Sequence, residues 1–508
     1  MEECEIDPVE NEETVQEEAF RWSVIQGDCI EVMRTCPDNY VDSMVTDPPA
    51  GIAFMPGKAD WDCFRRRHNP KDVGRENVFG RTSEHAPHSY GESERGNFIA
   101  FMTEVMKESW RVVKPGGHAF VWALPRTSHW TAMALEDAGW EIRTVVHHHF
   151  GSGFPKSADI SKALDRMAGA ERKTVVGYGR GGAALAFAGD NPRPWHARQV
   201  ATGGVYAHTA PETESARDWE GFGTAIKPAT EHWILCRKPL SESSIARNVL
   251  KHSTGSLNID ACRVHRDADD VPGWHESGAK GSKGYQGEDT FKIHDMSPEE
   301  IQERCGDKGR WPPDLLLSHS ADCKEACSAD CPVAELDRQS GATKSSGKTR
   351  KGSGETKSGS VSQGGGLMAD LSFTDYGDFG GASRFFPTFR YQAKPSRSER
   401  EVGCEDLPTA VLNRVNPGGL ENEPRFAPIK VKNNHPTPKG IELARWLSRL
   451  ITPPGGMILD PFAGSGSLGC GALLEGFRWV GIEQNEDYCA IARARLRYWD
   501  VKCQCEKS

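Results

Sequence analysis

Apolar positions along the chain switch repeatedly between a period of two and a period near 3.6. Val24-Ile25 is a short apolar run, after which Gly27-Asp28 turns the chain into a stretch with Ile30, Met33 and Cys36 at helical spacing. Val41 to Val45 reads as a second strand, broken by Asp47-Pro48-Pro49. Phe98, Phe101, Val105, Met106 and Trp110 predict a helix over 97–112, which Lys114-Pro115-Gly116-Gly117 stops before a strand from His118 to Trp122. A helix over 128–138, a strand over 141–146 and a buried strand from Glu231 to Cys236 continue the rhythm. Periodicity fades between 240 and 382 and returns at His435. There a helix (440–450), a strand (457–459), a glycine-rich turn, a helix (467–475), a strand (478–482) and a last helix (486–499) follow. The alternation predicts an α/β fold: a largely parallel sheet covered on both faces, made from both ends of the chain and interrupted by a long irregular insertion.

Composition changes this picture little. Residues 56–96 are polar, 151–222 are rich in Gly, Ala and Pro, and 341–366 are low-complexity Gly/Ser/Lys, so each reads as loop. The net charge of −10 looks wrong for a nucleic-acid binder, but nine acids and no basic residue lie in the first 20 positions, which read as a disordered acidic tail. The remainder is near neutral, so a basic groove would have to be local. No apolar run approaches the roughly 20 residues needed to cross a bilayer. The acidic start lacks the pattern of a secretory signal, so a cytoplasmic location with reduced thiols is expected for the 15 cysteines.

Two segments carry chemistry. Asp460-Pro461-Phe462-Ala463-Gly464-Ser465-Gly466 joins a strand to a helix, and its glycines allow a ligand close to the backbone and the helix N–H groups. Glu483 ends the next strand, where a carboxylate accepts hydrogen bonds from ribose hydroxyls. A tight turn with a surface Glu is the plain alternative. At the other end of the chain, Asp47-Pro48-Pro49 sets an acid at the carboxyl end of a strand. The prolines donate no N–H, so the stretch is rich in acceptors. Acceptors suit an aromatic amine: hydrogen bonds from its protons to Asp47 and the Pro48 carbonyl would localise the nitrogen lone pair for attack on a sulfonium methyl. A strand-ending turn is again the plain alternative.

Together these segments resemble the amino-methyltransferases of DNA, whose acceptor motif is Asp/Asn/Ser-Pro-Pro-aromatic and whose cofactor motif is Phe-x-Gly-x-Gly. The acceptor motif comes first here, which resembles the circularly permuted β group. Asp28 in Gly27-Asp28-Cys29 resembles the acid that reaches the cofactor adenine, and Asn434-His435-Pro436-Thr437 the motif at the cofactor's methionine end. Trp110 to Gly117 resembles the helix–strand segment behind the site. Gly151 to Ser157 and Arg384-Phe385-Phe386 resemble segments of phage and prophage members, whose setting would be the host cytoplasm.

The resemblance implies a Rossmann-like, permuted S-adenosylmethionine methyltransferase sheet. It implies methylation of a flipped base in double-stranded DNA, and Asp47 favours adenine N6 over cytosine N4. The implied division is an acidic tail (1–20), a catalytic half (21–165), a loop insertion (166–221), a core strand (222–240), a target-recognition insertion (241–384) and a cofactor-binding half (385–508). Asp47, Pro48 and Pro49 would be catalytic, and Asp28, His435, Thr437, Lys439, Asp460, Pro461, Phe462, Gly464, Gly466 and Glu483 would bind the cofactor. A homodimer and a companion restriction enzyme are compatible with the family; no nuclease motif is recognised in the sequence.

The chain departs from the pattern in two places. Ala50 stands where an aromatic residue stacks on the base, with Phe54 and Trp61 the nearest candidates to replace it. Gly440 stands where Pro follows the retained Lys439. Cytosine-C5 methylation is disfavoured, because no Pro-Cys dipeptide occurs. A catalytically silent DNA-binding or antirestriction module is the competing class, with Ala50 as its sign. Lys344, Lys348, Arg350 and Lys351 could touch phosphates or be solvated linker. His319, Cys323, Cys327 and Cys331, four residues apart, offer one imidazole and three thiolates to a structural zinc, against three ordinary buried thiols. His147 and His149 are expected to share one side of a strand as packing or near-substrate groups.

Overall fold

A computed structural model of the chain describes residues 20–50, 92–151, 157–180, 205–264, 309–320, 323, 326–328, 331–344, 349–351, 372–374, 379–389, 397–412 and 429–505. The acidic tail before Phe20, together with Phe54 and Trp61, lies outside the described residues. The principal elements are, in chain order, β1 (Trp22–Gln26), α1 (Cys29–Thr35), β2 (Ser43–Thr46), α2 (Glu92–Val112), β3 (His118–Ala123), α3 (Ser128–Asp137) and β4 (Glu141–His149). They continue with β5 (Thr230–Arg237), β6 (Leu315–Ser318), β7 (Thr388–Phe389), α4 (Ile441–Ile451), β8 (Met457–Asp460), α5 (Ser467–Leu474), β9 (Arg478–Glu483) and α6 (Glu486–Cys505).

These nine strands form one sheet in the order β1-β9-β8-β2-β3-β5-β4-β6-β7. Neighbours pair in parallel except around β5, which runs antiparallel to both β3 and β4. The two ends of the chain therefore meet at the β8–β2 pair, in the register Ile458 to Ser43 and Leu459 to Met44. Buried Asp42 reinforces the seam by accepting the Met457 N–H at 2.7 Å and pairing with Lys114 at 2.6 Å.

Alternation along the strands builds two cores. Val45, Phe120, Trp233, Leu235, Ile458 and Trp479 point to the face covered by α4, α5 and α6. Met44, Ala119, Val121, Ile234, Cys236, Leu459 and Val480 point to the face covered by α1, α2 and α3. A side-chain period of two sends neighbouring residues to opposite faces, which is why each run is apolar throughout. The α4–α5 crossing is close because Gly471 lacks a Cβ, which would lie 2.6 Å from the Ala444 methyl.

The sheet differs from the sequence expectation in two ways. β5 is antiparallel, because it returns between β3 and β4 instead of continuing the parallel order. The interval 241–384, read as an insertion, contributes β6 to the sheet, with Leu316 fully buried. The interval 166–221 holds a separate antiparallel pair, Val175–Arg180 with Val205–Thr209.

From β8 the chain winds through α5 to β9 on one side, and from β2 through α2 to β3 on the other. The winding direction thus reverses between β8 and β2. Outside the carboxyl ends of the strands at such a reversal, an open α/β sheet leaves a crevice for ligands. Asp460 and Asp47 stand at those two ends.

Candidate active site

Asp47 follows the last residue of β2, and its side chain is 19% exposed. Pro48 is buried behind it, and the Ala50 carbonyl accepts a 3.0 Å hydrogen bond from Thr127 Oγ1, which fixes the course of the Asp-Pro-Pro segment. Lys439 Nζ lies 3.3 Å from Asp47 Oδ2 and 3.7 Å from Glu231 Oε1. The same ammonium sits 4.1 Å from the centroid of the Trp122 ring, a cation–π contact that holds it at the strand ends. Burial pushes the Asp47 carboxyl up, Lys439 opposes it and Glu231 adds to it, leaving the group at about 6. Glu231 responds in the opposite sense: burial alone would raise it, but Lys439 and His148 outweigh burial and hold it at about 2.

Sequence reasoning missed Glu231, a lone acid at the start of an apolar strand. It reaches the site because β5 is antiparallel: its first residues, not its last, lie beside the end of β3, with Trp233 opposite Trp122 and His232 opposite Ala123. His148, opposite Glu231 in the register, places Nδ1 3.7 Å from Glu231 and bonds Ser318 Oγ at 2.6 Å through Nε2. On the other face of β4, His147 and His149 stack at 6.1 Å, and His232 meets His147 edge-on at 4.8 Å. The outer two histidines do share a side of the strand. Burial lowers both His149 and His232.

Thr46 Oγ1 donates a 2.8 Å hydrogen bond to Asp460 Oδ1, joining β2 directly to the start of the glycine turn. The Phe462 N–H bonds the same oxygen at 3.2 Å. Asp460 Oδ2 is buried and has no partner among the described protein groups. Burial lifts Asp460 to about 7 against those two hydrogen bonds, with Asp47 and Glu483 adding to the rise.

The turn itself is held from several sides. Gly464 and Gly466 adopt φ of +52° and +71°, left-handed values that disfavour any side chain. A Cβ on Gly464 would lie 2.7 Å from His435 Nε2. Glu483 accepts the Gly464 N–H at 2.9 Å and the Asn485 N–H at 2.8 Å, and burial raises its carboxyl against these bonds. Fully buried Arg495 on α6 clamps the turn through the Ser465 carbonyl at 2.7 Å and Ser467 Oγ at 2.9 Å.

The remaining sequence candidates divide. His435 stands against Gly464 and packs edge-on to Tyr488 at 4.7 Å, and its Nδ1 accepts the Thr437 N–H at 3.4 Å. Thr437 is exposed and Pro461 buried. Phe462 directs its ring to Phe101 on α2, at 6.5 Å. Asp28 caps α1, accepting the N–H groups of Ile30 and Glu31 at 2.9 and 3.2 Å through one oxygen. The Gly27 N–H bonds the Glu483 carbonyl at 3.0 Å, which brings the β1 end beside the β9 end. Lys439, grouped by motif with the expected cofactor residues, faces Asp47. His319, Cys323, Cys327 and Cys331 converge elsewhere, beyond β6.

Residues 386–494 match the family model described as DNA methylase, of N6 and N4 type. This segment is similar to DNA methylases of that family. The matched segment holds His435, Lys439, Asp460, Gly464, Gly466 and Glu483, while Asp47 and Glu231 lie outside it. The chain is 36% identical over 81 residues to the DNA adenine methyltransferase YhdJ of Escherichia coli, covering 16% of this chain and 28% of that protein. It is 42% identical over 67 residues to the type II methyltransferase M2.DpnII of Streptococcus pneumoniae, covering 13% and 25%. The chain thus aligns with about a quarter of the length of these relatives. Among solved structures, the cytosine-N4-specific PvuII DNA methyltransferase aligns with 96% of this chain and 90% of its own, at 11% identity and a TM-score of 0.36. The M1.HpyAVI–SAM complex aligns with 94% and 99%, at 10% identity and a TM-score of 0.31.

Proposed function

We propose that the chain transfers a methyl group from S-adenosylmethionine to the exocyclic amino group of a base in double-stranded DNA, adenine N6 in preference to cytosine N4. The observation that carries this reading is the Thr46–Asp460 hydrogen bond, which joins the strand end before Asp47 to the start of the glycine turn. The order of the two segments along the chain supports reading the fold as permuted.

The residues present fit the cofactor. The left-handed Gly464 brings bare backbone against His435, where a Cβ would clash, the Glu483 carboxylate at the strand end could accept hydrogen bonds from hydroxyls, and the orphaned Asp460 Oδ2 calls for a donor such as an ammonium group. When bound, S-adenosylmethionine supplies an electrophilic sulfonium methyl. On the acceptor side, ionised Asp47 and the Pro48 carbonyl would accept hydrogen bonds from the two amine N–H groups, drawing the lone pair onto nitrogen. Asp47 then stabilises the positive charge that grows there. Lys439 keeps Asp47 ionised, and Glu231 offsets the Lys439 charge, so the three groups together present a net negative field to the amine.

The base has to leave the duplex to reach Asp47. The interval 241–384 is the part we assign to target recognition. The Cys/His cluster takes no part in the transfer. Among the described residues, no helix is long and apolar enough to cross a membrane, which is compatible with action on cytoplasmic DNA.

The test is incubation with double-stranded DNA and methyl-labelled cofactor, followed by hydrolysis to nucleosides and mass identification. N6-methyladenine is the expected product. N4-methylcytosine would change the base assignment. Cofactor binding without label in DNA would overturn the activity and favour the silent DNA-binding alternative.

A further inference from the structure

At the far end of the sheet, β6 and the edge strand β7 are elements of four and two residues with very little core of their own. The local cluster has three buried members, Leu317, Cys331 and Val333. Yet the backbone around it is well specified. Leu317 N–H bonds the Pro387 carbonyl at 2.9 Å and His319 N–H the Phe389 carbonyl at 2.8 Å, which pins His319 just past β6. The helix Pro332–Ser340 starts at Cys331 and is tied to the approach to β7 by Asp337, which accepts both the Ser383 N–H and Ser383 Oγ at 2.7 Å. Pro332 packs on Gly151 at the end of β4; a Cβ there would meet it at 2.9 Å. What closes the path from β6 to that helix is the group His319, Cys323, Cys327 and Cys331.

We infer that these four residues bind one zinc ion, through the His319 imidazole and three thiolates, and that the ion fastens β6, β7 and the helix Pro332–Ser340 to the end of the sheet. One ligand atom from each lies within 4.8 Å of the others. His319 Nδ1 is 3.4 Å from both Cys327 Sγ and Cys331 Sγ. Zinc–nitrogen and zinc–sulfur bonds of ordinary length at a tetrahedral angle give an N···S edge of about 3.6 Å. The observed edges therefore already have the size of a coordination tetrahedron. The Ser328 N–H points at Cys323 Sγ from 3.3 Å, a backbone donor to a sulfur that becomes anionic on binding. Two turns, Cys323 N–H to the Ser320 carbonyl and Cys331 N–H to the Ser328 carbonyl, both at 3.1 Å, present the first and last thiols inward. The set is one imidazole and three thiolates with no side left open, the composition of a structural site rather than a catalytic one. Binding exchanges three thiol protons for the ion.

The position gives the site a consequence for the rest of the molecule. Ser318, the residue before His319, bonds His148, which in turn faces Glu231. The ion therefore buttresses the same strand end from which Glu231 reaches Lys439, without touching the methyl-transfer groups.

The experiment is metal analysis of the full chain purified in a phosphine reductant without chelator. It is paired with Co(II) addition to the metal-stripped chain and with Cys327→Ser, chosen because Cys327 is the exposed ligand. One zinc per chain, intense thiolate-to-Co(II) charge-transfer bands, and loss of both in Cys327→Ser are expected. The variant should keep S-adenosylmethionine affinity within twofold while trypsin cleavage in 319–340 accelerates. Substoichiometric metal together with no charge-transfer bands, or full zinc retained by Cys327→Ser, would overturn the assignment. None of these readouts depends on methyl transfer.

Discussion

Lys439→Met tests whether Lys439 serves the acceptor acid or the cofactor. The change keeps a long apolar side chain over Trp122 and removes the cation 3.3 Å from Asp47 Oδ2. A contacting opposite charge lowers a carboxyl by about 1–3 pKa units, so its removal should lift Asp47 from about 6 by that amount. At pH 7 the ionised fraction then falls from about nine-tenths to between about one-half and one-hundredth, by simple titration. In the proposed mechanism Asp47 acts as the carboxylate, so the acid limb of kcat/KM should move to higher pH, and activity should return as pH rises. Glu231→Gln should move the limb the other way, because Glu231 raises Asp47. The assay is methyl transfer across a pH series with cofactor Kd measured in parallel. An unmoved acid limb in Lys439→Met, with the loss appearing in cofactor Kd, would refute the reasoning and return Lys439 to the cofactor.

Gly464→Ala adds a Cβ at a left-handed φ of +52° and 2.7 Å from His435 Nε2. The left-handed conformation alone costs about 1–2 kcal/mol, so urea unfolding should show stability lowered by at least that amount, and calorimetry should show weaker cofactor binding where the turn shifts to relieve the clash. Asp460 stands near 7 in the free chain, and a cationic donor beside its orphaned oxygen would favour the carboxylate. Cofactor binding at pH 7 should therefore release protons, seen as a dependence of binding enthalpy on buffer ionisation enthalpy, and Asp460→Asn should abolish the release. Trp479, fully buried with its ring over Gly481, is a stability probe: Trp479→Ala should lower unfolding free energy in urea by about 3–5 kcal/mol.

The parts of this site that were legible in the sequence are those whose chemistry is local. Asp47-Pro48-Pro49, the Gly464 turn and the terminal Glu483 announce themselves because strand, turn and functional residue are contiguous. Their meeting was legible too, because two half-patterns of βα alternation at opposite ends of one chain leave an incomplete sheet unless they join. Glu231 was not legible. An acid before an apolar strand reads as a strand boundary, and only the antiparallel insertion of β5 turns that boundary toward the site. β6 was missed for a related reason: four residues inside a long irregular interval carry too few periods to separate from loop. The Lys439 side chain lies beside Asp47 in space while its motif groups it with His435 in sequence, a placement that sequence proximity alone does not give.

The account rests on Asp47 acting on the amine while the glycine turn holds the cofactor, and parallel measurement of the two functions in Asp47→Ala separates them. S-adenosylmethionine affinity should stay within about threefold of the native chain while methyl transfer to DNA falls by at least about a hundredfold, the scale of a lost preorganised electrostatic group. Transfer persisting near the native rate in Asp47→Ala would contradict the account.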